Sequence, residues 1–201
     1  MINPSIFKSY DIRGIYPSEL NEDAAFAVGR ALIKYTGSLP AGRQAKRVVI
    51  GQDARISSPA LFKALARGIF AAGAHVTDIG QVPTECVYFA LGNYDFDAGV
   101  MITASHNPKE YNGLKMIQKV GNNLEMVRGT ALSSIVEQDT DNKVDVEVER
   151  KDIWADFITH IFSFVDLSEI TPLKIIIDAS NGVAGNIISR IQDKLPVEII
   201  S

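Results

Sequence analysis

A potential nucleophile, an acid/base group and a cation lie close together in this chain: Ser105, His106 and Lys115. They stand in the runs Thr103-Ala104-Ser105-His106-Asn107-Pro108 and Tyr111-Asn112-Gly113-Leu114-Lys115. Asn-Pro and Asn-Gly are turn signals, so the segment reads as a loop. The apolar run Ala98-Gly99-Val100-Met101-Ile102 before it has strand character. A plain polar connection between two strands would have a similar composition, because loops collect such residues. A free serine is a poor nucleophile and needs an adjacent base. His106 is only a sequence neighbour, and neighbours in a loop point in different directions. No Gly-x-Ser-x-Gly elbow surrounds Ser105, so a serine hydrolase has little support.

The flanking elements must hold that loop. Tyr10-Asp11-Ile12-Arg13-Gly14 reads as a surface strand and turn. Asn21 is placed to cap a helix, with Glu22 and Asp23 favourable in its first turn. Leu20, Ala24, Ala27, Val28, Ala31, Leu32 and Tyr35 recur at helical spacing, and Gly37 to Gly42, with Pro40, closes that helix. Lys46 to Gly51 is a β-branched run, a buried strand. Ser58 is the expected N-cap of the next helix, with Pro59 at its first position. Leu61, Phe62, Leu65, Ile69 and Phe70 mark its core side, and Gly73 ends it. His75 to Ile79 forms another strand. A strand–helix–strand unit of this kind implies parallel strands, with ligands at their C-terminal ends. Asp53 and Arg55 sit on one such loop, and a pair that fixes the loop is the expected role. His75 has no partner at metal-ligand spacing.

Further on, a short helix is expected over Glu85 to Leu91 and a strand over Leu114 to Gln118. A turn follows at Gly121-Asn122-Asn123, then a helix over Arg128 to Gln138. Asp139 to Val148 lacks an apolar face and reads as exposed. Ile153, Trp154, Phe157, Ile158, Ile161 and Phe162 give an amphipathic helix, with Trp154 in packing and His160 at the surface. A second unit begins with the strand Pro172 to Asp178, continues through a polar turn and a helix over Asn186 to Leu195, and ends in the strand Val197 to Ile200. Gly182 and Gly185 hint at phosphate binding at a helix start. They lack the fuller dinucleotide or P-loop pattern.

With 46% hydrophobic and 22% charged residues among 201, the composition is that of a globular protein with ample core. The net charge of −4 carries no basic block, which excludes an obvious nucleic-acid binder. No apolar run approaches the roughly 18 residues that span a bilayer. The N-terminus lacks the order of a signal peptide. Cys86 is the single cysteine, so no intrachain disulfide forms and a reducing cytoplasm is expected.

The Thr103–Pro108 and Tyr111–Lys115 runs resemble the active-site loop of the α-D-phosphohexomutases, the phosphomannomutase/phosphoglucomutase family. Tyr10-Asp11-Ile12-Arg13-Gly14 is similar to the start of that family, and Gly51-Gln52-Asp53-Ala54-Arg55 to its Gly-x-Asp-x-Arg. The resemblance implies an α/β fold with a mixed sheet and flanking helices over 1–150. Residues 151–201 would be a linking helix and the incomplete start of a second similar domain. It implies an intramolecular phosphotransferase that interconverts hexose 6-phosphate and hexose 1-phosphate through a phosphoserine and a bisphosphorylated intermediate. Ser105 would carry the phosphoryl group and bind Mg²⁺ through it. Lys115 would act as general acid/base, with His106 assisting. Tyr10, Arg13 and Asn107 would hold substrate or phosphate.

The family's Asp-Gly-Asp-x-Asp-Arg metal loop has no counterpart in this sequence. The chain is therefore expected to be the N-terminal part of a longer enzyme, inactive alone, with the remaining domains on the same polypeptide. Phosphomannomutase is the leading activity, with phosphoglucomutase or phosphoglucosamine mutase the nearest rival. A noncatalytic α/β phosphate-binding or interaction module is the alternative.

Overall fold

Successive residues of the central strands go to opposite faces of one sheet, and each face meets its own layer of helices. The computed structural model describes residues 2–38, 46–137 and 145–200. Its main sheet contains β1 (Ile12–Ile15), β2 (Arg47–Gln52), β3 (His75–Gln81), β4 (Ala98–Ile102), β5 (Tyr111–Val120), β6 (Asn123–Val127) and β7 (Glu149–Arg150). The strand order is β1-β5-β4-β2-β3-β7, with β6 paired to β5. Strands β2, β3, β4 and β7 run parallel, whereas β5 is antiparallel to β1, β4 and β6. The sheet is mixed, as expected from the sequence.

The strand period of two sorts the core. Val48, Ile50, Val100, Ile102, Leu114 and Met116 join one buried cluster with helices α1 (Glu22–Ser38) and α2 (Ser58–Ala71). Val49, Met101 and Ile117 point the other way. They meet helix α3 (Thr84–Asn93), while Ile153 and Phe157 bring in helix α5 (Trp154–Phe162). The result is a three-layer α/β/α arrangement. Helices α1 and α2 cross closely, because a Cβ on Gly68 would lie 2.0 Å from the Phe26 carbonyl oxygen. Asn21 caps α1 by accepting from the Ala24 N–H at 3.0 Å.

Several local expectations shift. Helix α2 starts at Ser58, with Ser57 at the cap position and no capping side-chain bond. The Ser58 hydroxyl is used elsewhere, donating to Asp53 Oδ1 at 2.8 Å. Phe70 is exposed rather than part of the core, since it lies off the face of α2 that buries Leu61, Leu65 and Ile69. His160 is half-buried, its ring 5.0 Å from that of Phe89 and 4.9 Å from that of Phe164. The helix expected over Arg128 to Gln138 is the short α4 (Gly129–Ser133). Strand β6 is not among the elements expected from the sequence: Leu124 and Met126 alternate with Asn123 and Glu125, but the run is short, follows directly on a turn, and leaves four of its five residues exposed. The Gly121 turn, at φ 59°, brings it back along β5. The loop expected at 39–42 and the segment 139–144 lie outside the described residues.

Beyond α5, strands β8 (Lys174–Ile176) and β9 (Glu198–Ile200) pair in parallel and flank helix α6 (Ala184–Ile191). This repeats the strand–helix–strand order of β2, α2 and β3. The Arg190 guanidinium of α6 stacks over the Trp154 ring of α5, 4.4 Å from its centroid.

Two consequences of this packing can be measured. Gly113 is squeezed where β1, β5 and the end of β4 meet: a Cβ there would lie 2.5 Å from the Ile12 oxygen and 2.8 Å from the Thr103 oxygen. Gly113→Ala should destabilise the chain by about 3 kcal/mol, the upper range for overpacking, as read by urea unfolding. Cys86 is fully buried, and burial above all, then the Glu85 charge, pushes its thiol from 9.0 up to about 12. A proton held more tightly in the folded state means that stability from this group is full below the unfolded pKa, roughly 8.5. It falls as pH rises from there toward about 12. At about pH 8.5 an aromatic disulfide reagent should label Cys86 only after urea is added.

Candidate active site

The loop after β4 begins with an unusual backbone. Ser105 adopts φ 57°, the left-handed region that L-residues enter at a cost. Neighbouring groups hold it there. The Ser105 N–H donates to the Thr103 hydroxyl at 2.9 Å, and the Asn107 N–H donates to the Ala104 carbonyl at 3.1 Å. The side chain of Ser105 is left exposed at the C-terminal end of a parallel strand.

The remaining loop carbonyls converge on one side chain from the β2–α2 loop. Arg55 Nη2 donates to the carbonyls of Ser105 at 3.0 Å and Asn107 at 2.7 Å. Its Nη1 donates to those of Pro108 at 2.7 Å and Tyr111 at 2.9 Å. The third nitrogen, Nε, pairs with Asp53 Oδ2 at 3.1 Å. Asp53 in turn accepts from the Arg55 N–H and from the Ser58 hydroxyl through Oδ1. Both Asp53 and Arg55 side chains are only 14% exposed. The structural role expected for this pair is what the bonds describe.

A second anchor lies below. Asn112 on β5 is completely buried, and its amide donates to the hydroxyls of Ser57 at 2.8 Å and Ser58 at 3.1 Å. Its Oδ1 accepts from the Gly113 N–H at 2.8 Å.

Arg13 reaches the loop from the other side. Its Nη1 donates to Asn107 Oδ1 at 3.0 Å, while Nη2 pairs with Asp11. The Arg13 Nε is buried with no hydrogen-bond partner. Tyr10 occupies a tight turn closed by the Lys8 N–H donating to the Asp11 carbonyl at 2.8 Å, and its side chain is exposed.

The sequence candidates fall into two adjacent clefts. Ser105 and Asn107 line one of about 870 Å³, together with Lys109 and the Ser180–Val183 turn. Tyr10, Arg13 and Lys115 line another of about 710 Å³. Thr84, the first residue of α3, lines both. The Arg13–Asn107 bond joins the two linings. His106 is exposed, its Nδ1 at 3.5 Å from Ser105 Oγ. That is the outer limit of a hydrogen bond, and no carboxylate orients the ring among the described residues. The arrangement does not make a serine–histidine couple of the hydrolase kind.

Reasoning from sequence missed Thr103, Asn112 and Thr84. Thr103 and Asn112 are polar groups in otherwise apolar strand surroundings, which is the one signal they offered. Among the described residues, no group of three or more His, Cys, Asp or Glu side chains could hold a metal ion. No helix among them is long and apolar enough to cross a membrane.

Comparisons with known proteins agree with this geometry. Residues 4–143 match the family described as phosphoglucomutase/phosphomannomutase, alpha/beta/alpha domain I. The chain is 40% identical over 198 residues to a protein of Xanthomonas campestris pv. campestris named for phosphohexose mutases, covering 96% of this chain and 42% of that one. It is 36% identical over 203 residues to a phosphomannomutase of Vibrio cholerae, covering 96% and 43%. A crystal structure of a phosphoglucomutase/phosphomannomutase family protein from Burkholderia thailandensis superposes with a TM-score of 0.81 at 33% identity, over 100% of this chain and 44% of that one. The chain thus spans less than half the length of these relatives. With the family's first domain matched along 4–143 and the Ser105 loop built at its strand ends, the chain belongs to the α-D-phosphohexomutases, the phosphoglucomutase/phosphomannomutase family.

Proposed function

We propose that this chain is the phosphoserine-bearing portion of a mutase that interconverts hexose 6-phosphate and hexose 1-phosphate, with mannose phosphate the leading substrate. One observation carries the reading. Ser105 is presented bare at the mouth of a cleft, on a loop whose backbone is locked by a buried arginine. A group that passes a phosphoryl unit back and forth needs such fixed placement more than it needs an activating base.

In this reading the phosphoryl group starts on Ser105 Oγ. A sugar hydroxyl attacks phosphorus, the new O–P bond forms and the Oγ–P bond breaks. The hydroxyl proton passes to Lys115 acting as general base, and the departing serine oxygen takes up a proton by general acid action. The bisphosphorylated sugar turns over, and its other phosphoryl group returns to Ser105 by the reverse steps. His106 assists the proton movements, and Tyr10, Arg13 and Asn107 hold the phosphate and the loop. Mg²⁺ belongs to the proposal as a partner of the Ser105 phosphate. The described residues offer it no carboxylate cluster, and they supply no step through it. The remaining domains of a longer polypeptide are expected to contribute the metal and sugar sites, because the relatives extend well beyond the matched portion. A cytoplasmic setting suits the buried Cys86 thiol.

Incubation of the full-length protein with a hexose 1,6-bisphosphate, followed by intact-mass analysis, should add one phosphoryl group, carried on Ser105. Ser105→Ala should take up none, and phosphate mapped to another residue would overturn the assignment. The 201-residue chain should show no sustained mutase turnover, whereas the full-length protein should. Lys115→Met in the full-length protein should lower kcat by about 10²–10⁴-fold, the usual worth of a general acid/base.

A further inference from the structure

The Arg55 guanidinium binds more of the Ser105 loop than any other side chain, yet Ser105 Oγ is not among its partners. Its Nη groups donate to four carbonyls spread from Ser105 to Tyr111. We propose that Arg55 is a positioning residue for phosphoryl transfer: it sets the left-handed backbone of Ser105, and so the direction in which Oγ meets phosphorus.

The geometry gives this role to a planar fork and not simply to a positive charge. Four acceptors on two nitrogens, with Nε committed to Asp53, use the donor set of arginine fully. A lysine ammonium has three donors at one point and cannot span the same carbonyls. The loop amides have their own weaker ties, at Ser105, Asn107 and Tyr111. Those ties are local, within the segment 103–111, and do not connect the loop to β2 or α2. Arg55 makes that connection, since Asp53 receives the Ser58 hydroxyl of α2 and the Asp53 N–H donates to the Ile102 carbonyl of β4 at 3.0 Å.

The consequence for chemistry rests on the phosphoserine reading. Uptake from a hexose bisphosphate forms the Ser105 Oγ–P bond as the donor sugar O–P bond breaks, and the serine proton ends on the sugar oxygen. An Oγ displaced by an ångström would slow that step about 100-fold with little change in sugar binding.

The test uses Arg55→Lys and Arg55→Gly in the full-length protein, with two readouts. In hydrogen exchange, both variants should lose protection at the Ser105, Asn107 and Tyr111 amides while the amides of β2 and β4 keep theirs. In phosphoryl uptake from a hexose 1,6-bisphosphate, the maximal rate should fall about 100-fold with the half-saturating concentration within about twofold. Millimolar guanidinium ion should restore at least about tenfold in the glycine variant, which leaves room for it, and nothing in the lysine variant. Unchanged loop protection in both variants would overturn the proposal. So would protection lost equally across β2 and β4, or guanidinium without effect. If the unsubstituted full-length protein takes up no phosphoryl group, the mutase reading fails, and hydrogen exchange still decides the role of Arg55.

Discussion

A loop that leaves a sheet must find partners for carbonyls that the ladder no longer satisfies. In this domain one buried guanidinium supplies most of them. Arg55 meets the carbonyls of Ser105, Asn107, Pro108 and Tyr111, and its charge is balanced by Asp53 at 3.1 Å. Hydrogen bonds to charged groups are worth about 1.5–3 kcal/mol each, more than neutral ones. Pairing with a carboxylate that is equally buried limits the desolvation cost of placing the cation there. The loop therefore inherits the rigidity of the β2–α2 connection, which itself hangs from α2 through Ser58 and from β5 through Asn112. A disturbance at Asn112 or Ser58 would reach Ser105 through these bonds without touching its side chain.

This dependence explains what the sequence could and could not show. Period-two and period-3.6 patterns were enough to find β2, α2, β3, β4 and α5, because each buries one or both faces against the core. The apolar runs at 46–51 and 98–102 lie in the middle of the sheet, where both faces are covered. Strand β6 was missed because it is a short, exposed hairpin arm held by pairing to β5 rather than by burial. The start of α2 moved by one residue because the Ser58 hydroxyl, read as a cap, is spent on Asp53 and Asn112. Phe70 read as core from its spacing, but it lies off the face of α2 that buries Leu61, Leu65 and Ile69. His160 read as a surface residue, but the ring of Phe89 on α3 covers it, a contact between elements remote in the chain.

The candidate site shows the same division. Residue types and the turn signals marked Ser105, His106 and Lys115, and family likeness added Tyr10, Arg13 and Asn107. Neither could place them in two clefts joined by the Arg13–Asn107 bond, because that separation depends on how β1 and β5 pair. The partners that hold the site are harder still to read. Thr103 is an ordinary strand-end residue until its hydroxyl is seen to receive the Ser105 amide. Asn112 sits in an Asn-Gly pair and reads as a turn, yet lies in the interior of the sheet with Gly113 fitted against two backbones.

The charge arrangement around Ser105 follows from these roles. Both arginines near the loop already have carboxylate partners, Arg55 with Asp53 and Arg13 with Asp11. The Arg55 donors are all directed to backbone carbonyls and to Asp53, so its positive charge is spent on structure, whereas Arg13 keeps a buried Nε with no partner among the described residues. Lys109 at the Ser105 cleft and Lys115 at the other have no ion-pair partner among the described residues. A phosphoryl group on Ser105 would add roughly −1.5 to −2 charge. Lys109, which lines the Ser105 cleft, can answer that charge as it arrives, because its ammonium sits on a flexible stem. A loop fixed by arginine and a charge met by lysine are separate tasks.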